Sequence, residues 1–361
     1  MAADGVSLAG RAAVVTGGRS GIGAAVGAAL ATGPGARYAG AMTHLRVFIS
    51  ASLALGIRFA AAGEDAGSGA NAAKVVRLLT VGNSFARNST HYLPDIVAAS
   101  GRHRLILGAA NLGGCSMERH WRGVEKHEAD PNDRAGKPHG GRSLAEILRS
   151  EPWDAVTIQQ YSMISHDVAT YRPYAEKLRD YIRRHAPTAE VMLHQTWAYR
   201  ADDTTRLKPG YAQADMHREV RGAYRTIARE LGLRVIPVGD AFAAARRHPD
   251  WQFRRDPDFD YASPVYPNLP KEGPDLCRGW TWTPPAGGRP AKRSCDTHHA
   301  GVAGEYLGTA VFYEVLFGER VVGDAFVPGG LSAAAVRTLQ EIAHETVADR
   351  RAIEPALDGA D

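Results

Sequence analysis

Short apolar runs of strand length recur along the chain, and each ends in a group of small or polar residues. The first run is rich in β-branched residues, which are enriched in strands, and its length suits a buried strand. Four later runs have a similar length and similar ends. The pattern predicts strands over residues 75–81, 105–110, 153–158, 190–193 and 233–238.

Amphipathic segments with helical spacing lie between these strands, and two more follow the last strand. Strands that alternate with helices of this size predict an α/β fold, in which a five-stranded parallel sheet is covered on both faces. The predicted helices cover residues 91–100, 117–128, 143–149, 170–185, 213–231, 300–317 and 332–350.

Small or polar residues follow the first three predicted strands closely. Ser84 comes after the first strand in a Gly-Asn-Ser turn, Gly114 after the second, and Gln159 and Gln160 after the third. The carboxyl ends of parallel strands share one edge of the sheet, and open α/β sheets bind their ligands there. We therefore expect these residues to lie close together.

The segment over residues 249–294 interrupts this pattern, because it is rich in proline, tryptophan and glycine. It predicts a long loop over the site, since structureless loops of this length are usually functional or disordered. Cys277 and Cys295 flank its second half. They form either a disulfide or two unpaired buried thiols, whereas Cys115 is interpreted as a small buried apolar residue.

Composition excludes several classes of protein. The 361-residue chain is 44% hydrophobic and 23% charged, which suits a globular protein, and its net charge of +4 comes from scattered arginines. Nucleic-acid binding is therefore not expected. No apolar run reaches the roughly 18 residues of a membrane-spanning helix. The cysteines and histidines lack CxxC, HxH and HxxxH spacing, so neither a metal nor a cofactor is predicted.

Residues 8–31 resemble the opening of a short-chain dehydrogenase, with a TGxxxGIG turn between a strand and an alanine-rich helix. This resemblance implies an NAD(P)-dependent oxidoreductase as an alternative function. However, no acidic strand follows that could hold a ribose, and the family's Tyr-x-x-x-Lys pair is absent from the chain. We interpret residues 1–41 as a non-functional fragment of that fold.

The next segment, residues 42–62, has the layout of a secretory signal peptide: a short basic start, an apolar centre and small residues at its end. If translation begins at Met42, the protein is secreted or periplasmic, and otherwise it is cytoplasmic. Residues 63–73 are small and polar, which predicts a linker.

Three residues far apart in the chain suit nucleophilic catalysis. A serine hydroxyl needs a base to take its proton, and the base needs a partner that fixes its tautomer. Ser84 is the candidate nucleophile, His299 the base and Asp296 its partner, because an i, i+3 spacing lets a turn join the last two. His298 is the alternative base. The N–H groups of Ser84 and Gly114 are the expected oxyanion donors.

These motifs, in their order, resemble the SGNH/GDSL hydrolase superfamily and, within it, an uncharacterised bacterial branch. The resemblance implies a flavodoxin-like three-layer α/β/α sandwich over residues 74–320, a helical tail over 321–361, and hydrolysis of esters, often acetyl esters of carbohydrates. It assigns the nucleophile, the triad and the oxyanion glycine as above. The motifs are GNSF at residues 82–85, GGCS at 113–116, QQ at 159–160, HQTWAY at 194–199 and DTHH at 296–299.

One position departs from the superfamily, which has an asparagine donor after its third strand. This chain has Gln159 and Gln160 there, and we take Gln160 as the replacement oxyanion donor. A further group, His194, Gln195 and Trp197, either lines the substrate pocket or caps the edge of the sheet.

Three functions follow from these observations. The first is a serine esterase acting on a small-molecule or carbohydrate ester, and the second is the oxidoreductase suggested by residues 8–31. The third is a non-catalytic carbohydrate-binding relative, in which the altered third motif leaves the oxyanion site incomplete. The oligomeric state stays open.

Overall fold

The computed structural model of the protein describes residues 72–353. The dehydrogenase-like fragment over residues 1–41, the signal peptide over 42–62 and most of the linker over 63–73 lie outside the described residues. These three interpretations therefore stay predictions. Within the described residues no helix is long and apolar enough to cross a membrane.

Five parallel strands form the central sheet, as the alternation of apolar runs predicted. Their spatial order is β2-β1-β3-β4-β5, which is the flavodoxin-like order of doubly wound folds. The chain leaves β1 towards one edge of the sheet and later returns to β1's other side as β3, so the strand order reverses between these two strands. The strands are β1 Val75–Gly82, β2 Arg104–Asn111, β3 Ala155–Ile158, β4 Glu190–His194 and β5 Arg234–Ile236.

Helices cover both faces of this sheet. Leu78 and Leu79 are successive residues of β1, so their side chains point to opposite faces, yet both are fully buried. The helices form two groups, one around α8 and one around α5. The fold is thus a three-layer α/β/α sandwich. The helices are α1 Ser84–Ser89, α2 Leu93–Ala99, α3 Met117–Ala129, α4 Leu144–Leu148, α5 Tyr174–His185, α6 Gln213–Leu231, α7 Val238–Ala245, α8 Val302–Phe317 and α9 Ala333–Ile353.

Part of the segment predicted as a long loop is a two-stranded antiparallel ribbon, formed by β6 Cys277–Thr283 and β7 Lys292–Ala300. The alternation of tryptophan and threonine in β6 is a strand pattern that the abundance of proline and glycine obscured. Asp296 and His299 therefore lie in a strand, at its middle and near its end, and not in a loop.

The two cysteines of the ribbon are free thiols. Cys277 is paired in register with Ala300, whereas Cys295 is paired with Trp280. The cysteines are thus about three positions apart along the ribbon, and at roughly 3.3 Å per residue this is too far for the short Cα separation of a disulfide. Of the two alternatives for these residues, the structure has the unpaired thiols.

Candidate active site

Ser84 lies immediately after the central strand β1 and is the first residue of α1. The strand ends at Gly82, whose hypothetical Cβ would lie 2.6 Å from Oε1 of Gln159, so a side chain there would clash with the neighbouring strand's polar end. Asn83 caps the helix, because its side chain accepts a hydrogen bond from the N–H of Phe85. The hydroxyl of Ser84 is thereby placed at the carboxyl edge of the sheet.

The ribbon strand β7 brings His299 and Asp296 to this hydroxyl. Nε2 of His299 lies 2.8 Å from Oγ of Ser84, and Nδ1 of His299 lies 2.8 Å from Oδ2 of Asp296. The N–H of His299 also donates to Oδ1 of Asp296 at 2.9 Å. The three residues predicted as a triad are thus connected by hydrogen bonds across 215 positions of sequence.

The ionisation of Asp296 sets the tautomer of His299. Burial alone would raise the pKa of Asp296, but the hydrogen bonds from the His299 ring and backbone outweigh burial and hold this pKa well below its usual range. The ionised carboxylate can only accept, so Nδ1 of His299 carries the proton and Nε2 is left as an acceptor for the serine hydroxyl.

Asn83 connects the turns that follow three different strands. Its Nδ2 donates to the carbonyl of Cys115 at 3.0 Å, and its Oδ1 accepts from Nε2 of Gln159 at 3.0 Å as well as from the Phe85 N–H. Since Phe85 fixes which end of the amide is the oxygen, the orientation of both amides follows. No role was predicted for Asn83 from the sequence, although its position directly before the candidate nucleophile Ser84 was an indication.

Gly114 lies in the turn that Asn83 holds through Cys115. Its φ of +56° is in the left-handed region, which glycine adopts without strain. Within residues 72–353 the N–H of Gly114 makes no hydrogen bond with a backbone carbonyl. The N–H of Ser84 is likewise unused by the helix, because the first residue of a helix has no carbonyl in a preceding turn.

Gln160 does not occupy the place that the sequence analysis assigned to it. Its side chain is fully buried, and its Nε2 donates to the carbonyl and the hydroxyl of Thr170 at 2.8 and 3.3 Å. Its Oε1 accepts from the N–H groups of Met117 and Tyr161. Both amide hydrogens are therefore committed away from Ser84, which argues against an oxyanion role. Gln159, the alternative, directs its amide nitrogen to Asn83.

His194, Gln195 and Trp197 are all fully buried, so they do not line an open substrate pocket. His194 lies 3.1 Å from Oγ of Ser89, and Gln195 exchanges two hydrogen bonds with Asp240, at 2.9 and 3.0 Å. These contacts match the second alternative from the sequence, in which the group caps the edge of the sheet.

Trp197 also contacts β7, the strand that carries Asp296 and His299. Its ring stacks between Phe85 and Phe242, with centroid distances of 4.1 and 4.4 Å, and its Nε1 donates to the carbonyl of His298 at 2.8 Å. Nearby, the N–H of Arg200 donates to the carbonyl of Thr297 at 2.8 Å. The loop after β4 thus holds β7 at two successive carbonyls.

His298, the alternative base, lies beside the triad and not in line with Ser84. Its Nδ1 is 3.3 Å from Oδ1 of Asp296, and burial, followed by the nearby His299, lowers its pKa. Donor atoms of Asp296, His298 and His299 lie within 4.8 Å of one another, and they are the one group of three metal-ligating side chains in residues 72–353. They already bond to one another, and the expected absence of a metal stays a prediction.

Two buried side chains, His120 and Cys115, lie close to the end of β1 and to the Gly114 turn. His120 of α3 is buried with its Nε2 2.9 Å from the carbonyl of Gly82, and desolvation lowers its pKa to about 4. It is therefore neutral and donates to the end of β1. Cys115 is fully buried, and desolvation raises the pKa of its thiol to about 11, so it is not a thiolate.

Comparison with known protein families identifies the chain. Residues 77–258 match the family described as "Domain of unknown function (DUF4886)". The match covers half of the chain, and the protein belongs to this family. A comparison with curated proteins gives no match.

Solved structures share the fold at low identity. A DUF4886 family protein from Bacteroides uniformis is 23% identical, with a TM-score of 0.59 over 76% of this chain and 95% of that one. A protein from Slackia heliotrinireducens, described as a candidate SGNH hydrolase, is 22% identical, with a TM-score of 0.41 over 68% and 98% of the two chains. At these identities the likeness concerns the fold.

Proposed function

We propose that the protein is a serine esterase of the SGNH type, which hydrolyses a small-molecule or carbohydrate ester, such as an acetyl ester, through an acyl-enzyme on Ser84. The observation that supports this proposal best is the hydrogen-bonded line from Ser84 through His299 to Asp296, with both distances at 2.8 Å. The motifs of the sequence that resemble SGNH hydrolases support it independently.

In the first step, Oγ of Ser84 attacks the carbonyl carbon of the ester while its proton passes to Nε2 of His299. Asp296 stabilises the imidazolium that results, because its carboxylate stays ionised at neutral pH. His299 then gives the proton to the departing alcohol, and the acyl group remains on Ser84. Water repeats the sequence with the same base and releases the acid.

The charge that develops on the carbonyl oxygen needs donors that are in place beforehand. We assign this role to the N–H groups of Ser84 and Gly114, and the assignment is supported by the fact that neither bonds to a backbone carbonyl of residues 72–353. The hydrogen bond from Asn83 to the carbonyl of Cys115 fixes the Gly114 turn beside β1. The third donor of the superfamily has no counterpart in Gln159 or Gln160.

The test is hydrolysis of p-nitrophenyl acetate and of acetylated xylo-oligosaccharides by the wild-type protein and by Ser84→Ala. We expect the substitution to lower kcat by a factor on the order of 10³ or more, because the acyl-enzyme cannot form. A burst of p-nitrophenol in the wild type would identify the acyl-enzyme directly.

The matched control is Ser89→Ala. Ser89 also contacts a histidine, His194, at 3.1 Å, but both side chains are buried and Nδ1 of that histidine has no hydrogen-bond partner in residues 72–353. Activity should survive in this variant. Equal activity in the wild type and in Ser84→Ala would show that Ser84 is not the nucleophile.

A non-catalytic carbohydrate-binding protein is the second candidate, and the engagement of Gln159 and Gln160 within the protein favours it. It predicts that the folded wild type binds acetylated xylo-oligosaccharides without cleaving them or p-nitrophenyl acetate. Calorimetric titration with the oligosaccharides, beside the activity assay, separates the two candidates.

A further inference from the structure

A cleft of about 530 Å³ opens beside the candidate active site, on the outer side of the sheet. One wall comes from the end of β2, with Asn111 and the following Leu112, and the opposite wall comes from Arg87 of α1 and from His91 in the turn after this helix. The loop around His139 closes a third side.

The cleft is continuous with the elements that carry the proposed chemistry. Leu112 immediately precedes the Gly113-Gly114 turn, and its N–H donates to the carbonyl of Gly82 at 3.0 Å. Arg87 lies three residues after Ser84 on α1, and residues at this spacing share one face of a helix about 5–6 Å apart. A substrate whose ester reaches Ser84 would therefore have its remainder close to this cleft.

Arg87 is the arginine among the side chains that line the cleft, and one carboxylate outside the lining, that of Glu305, lies 3.9 Å from Nδ1 of His91. No aspartate or glutamate lines the cleft, and the guanidinium of Arg87 is exposed and forms no ion pair within the described residues. His139 adds no further positive charge, because burial lowers its pKa to about 4 and keeps the ring neutral. Elsewhere in the protein, buried or half-buried arginines such as Arg200 and Arg179 have carboxylate partners.

A second group in the cleft also lacks a partner. Nδ2 of Asn111 donates to the hydroxyl of Thr80 at 2.9 Å, but Oδ1 of Asn111 is buried without a hydrogen-bond partner in residues 72–353. A buried acceptor without a donor is costly, so a ligand hydroxyl would be favourable at this place.

We propose that this cleft binds a carboxylate of the substrate through Arg87, so that the preferred ester carries a carboxylate near the scissile bond. Arginine presents paired N–H donors that match a carboxylate, and such charge-assisted bonds are about twice as strong as neutral ones. The proposal rests on the proposed esterase function. The carboxylate belongs either to the acyl part, as in a half-ester of a dicarboxylic acid, or to the alcohol part, as in an ester of an acidic sugar.

Two pairs of esters distinguish these sources. For the acyl side, p-nitrophenyl hydrogen succinate is compared with p-nitrophenyl butyrate, and for the alcohol side O-acetylated glucuronic acid is compared with O-acetylated glucose. The measured quantity is the ratio of kcat/KM for the charged ester to that for the neutral one. We expect Arg87→Gln to lower this ratio about 10- to 100-fold in one pair, and Arg87→Lys to retain part of it.

Arg183→Gln is the matched control, since Arg183 is an exposed residue of α5 and the substitution removes the same charge far from the cleft. It should leave both ratios unchanged. The effect of Arg87→Gln should also shrink when the salt concentration rises from about 0.05 to 0.5 M, because salt screens exposed charges. Ratios that are the same in Arg87→Gln and the wild type would overturn the proposal.

If the wild type cleaves none of the four esters, the esterase function fails for this panel and the cleft is tested by binding alone. Titration with succinate and with glucuronate, followed by NMR, then decides. Binding to the wild type that Arg87→Gln abolishes would support the carboxylate site, and absence of binding to the wild type would overturn it.

Discussion

At the scale of single residues, the small side chain of Asn83 connects several parts of the candidate site. It is 1% exposed, and its amide bonds to the turn after β1, the turn after β2 and the side chain after β3. The strand order reverses between β1 and β3, where open α/β sheets form their ligand crevice. One side chain thus fixes the relative positions of the candidate nucleophile and the candidate oxyanion turn.

Replacing Asn83 with alanine should therefore damage activity more than stability. We expect kcat to fall on the order of 10²-fold, because the Gly114 turn loses its connection to Ser84, and unfolding free energy to fall by about 1–3 kcal/mol. Ester hydrolysis and thermal unfolding of the same preparation measure both quantities. Asn88→Ala is the control, since it also removes a buried hydrogen bond, to Glu305, but contacts neither turn.

The sequence allowed the roles of single residues to be predicted where spacing along the chain determined them. Asp296 and His299 were predicted as a pair because they are three positions apart, and the structure joins them at 2.8 Å. The oxyanion role was assigned to Gln160 although two adjacent glutamines, Gln159 and Gln160, differ only in the side to which their side chains point. Which of the two points to a given side depends on where β3 ends, and the sequence marks such ends only to within a few residues.

At the scale of elements, the ribbon of β6 and β7 carries the candidate base His299 although it is not part of the central sheet. It is held against the sheet edge by the loop after β4, through bonds from Trp197 to the carbonyl of His298 and from Arg200 to that of Thr297. The hydroxyl of Thr297 also bonds to Asp203. Trp197 of the HQTWAY motif, together with Arg200 and Asp203 after it, thus positions the strand that carries Asp296 and His299.

Trp197→Phe tests this connection. The substitution keeps an aromatic ring between Phe85 and Phe242 but removes the donor to β7, so we expect kcat to fall about tenfold with KM nearly constant. Trp251→Phe is the matched control, because Trp251 is also buried and its Nε1 has no hydrogen-bond partner in the described residues. Equal losses in the two variants would indicate a general packing effect.

The elements themselves were predictable to different degrees. All five parallel strands were predicted within about two residues of their ends, because buried strands are continuous apolar runs between turns. The helix α1 was not predicted, since six residues are too few to show a helical period. The ribbon was not predicted either, because it is half-exposed and its pairing joins residues separated by a turn rich in glycine and proline.

At the scale of the whole molecule, buried neutral histidines couple stability to pH. Desolvation lowers the pKa of His120 to about 4 and that of His194 to about 3. In the unfolded chain a histidine binds a proton near pH 6.5, so between these values the unfolded state binds more protons than the folded state. The free energy of unfolding is therefore not reduced by these histidines above about pH 6.5, and it falls as the pH is lowered towards 4.

His120→Gln should make this dependence shallower. Glutamine can donate to the carbonyl of Gly82 as the histidine does, but it does not titrate, so the loss between pH 7 and pH 5 should shrink by about 2 kcal/mol. Melting temperatures across this range measure the slope. His248→Gln, at a half-exposed position, is the control, and a slope unchanged in His120→Gln would contradict the prediction.

The separation of Ser84 from His299 by 215 positions also has a consequence for synthesis. Ser84 leaves the ribosome long before the ribbon that carries the candidate base His299 has been synthesised. Every chain truncated before β7 therefore lacks His299. The proposed catalytic unit is therefore completed only when β7 has joined the end of β1. Enzymatic turnover would accordingly report complete tertiary assembly, which a partly folded sheet with native secondary structure would not produce.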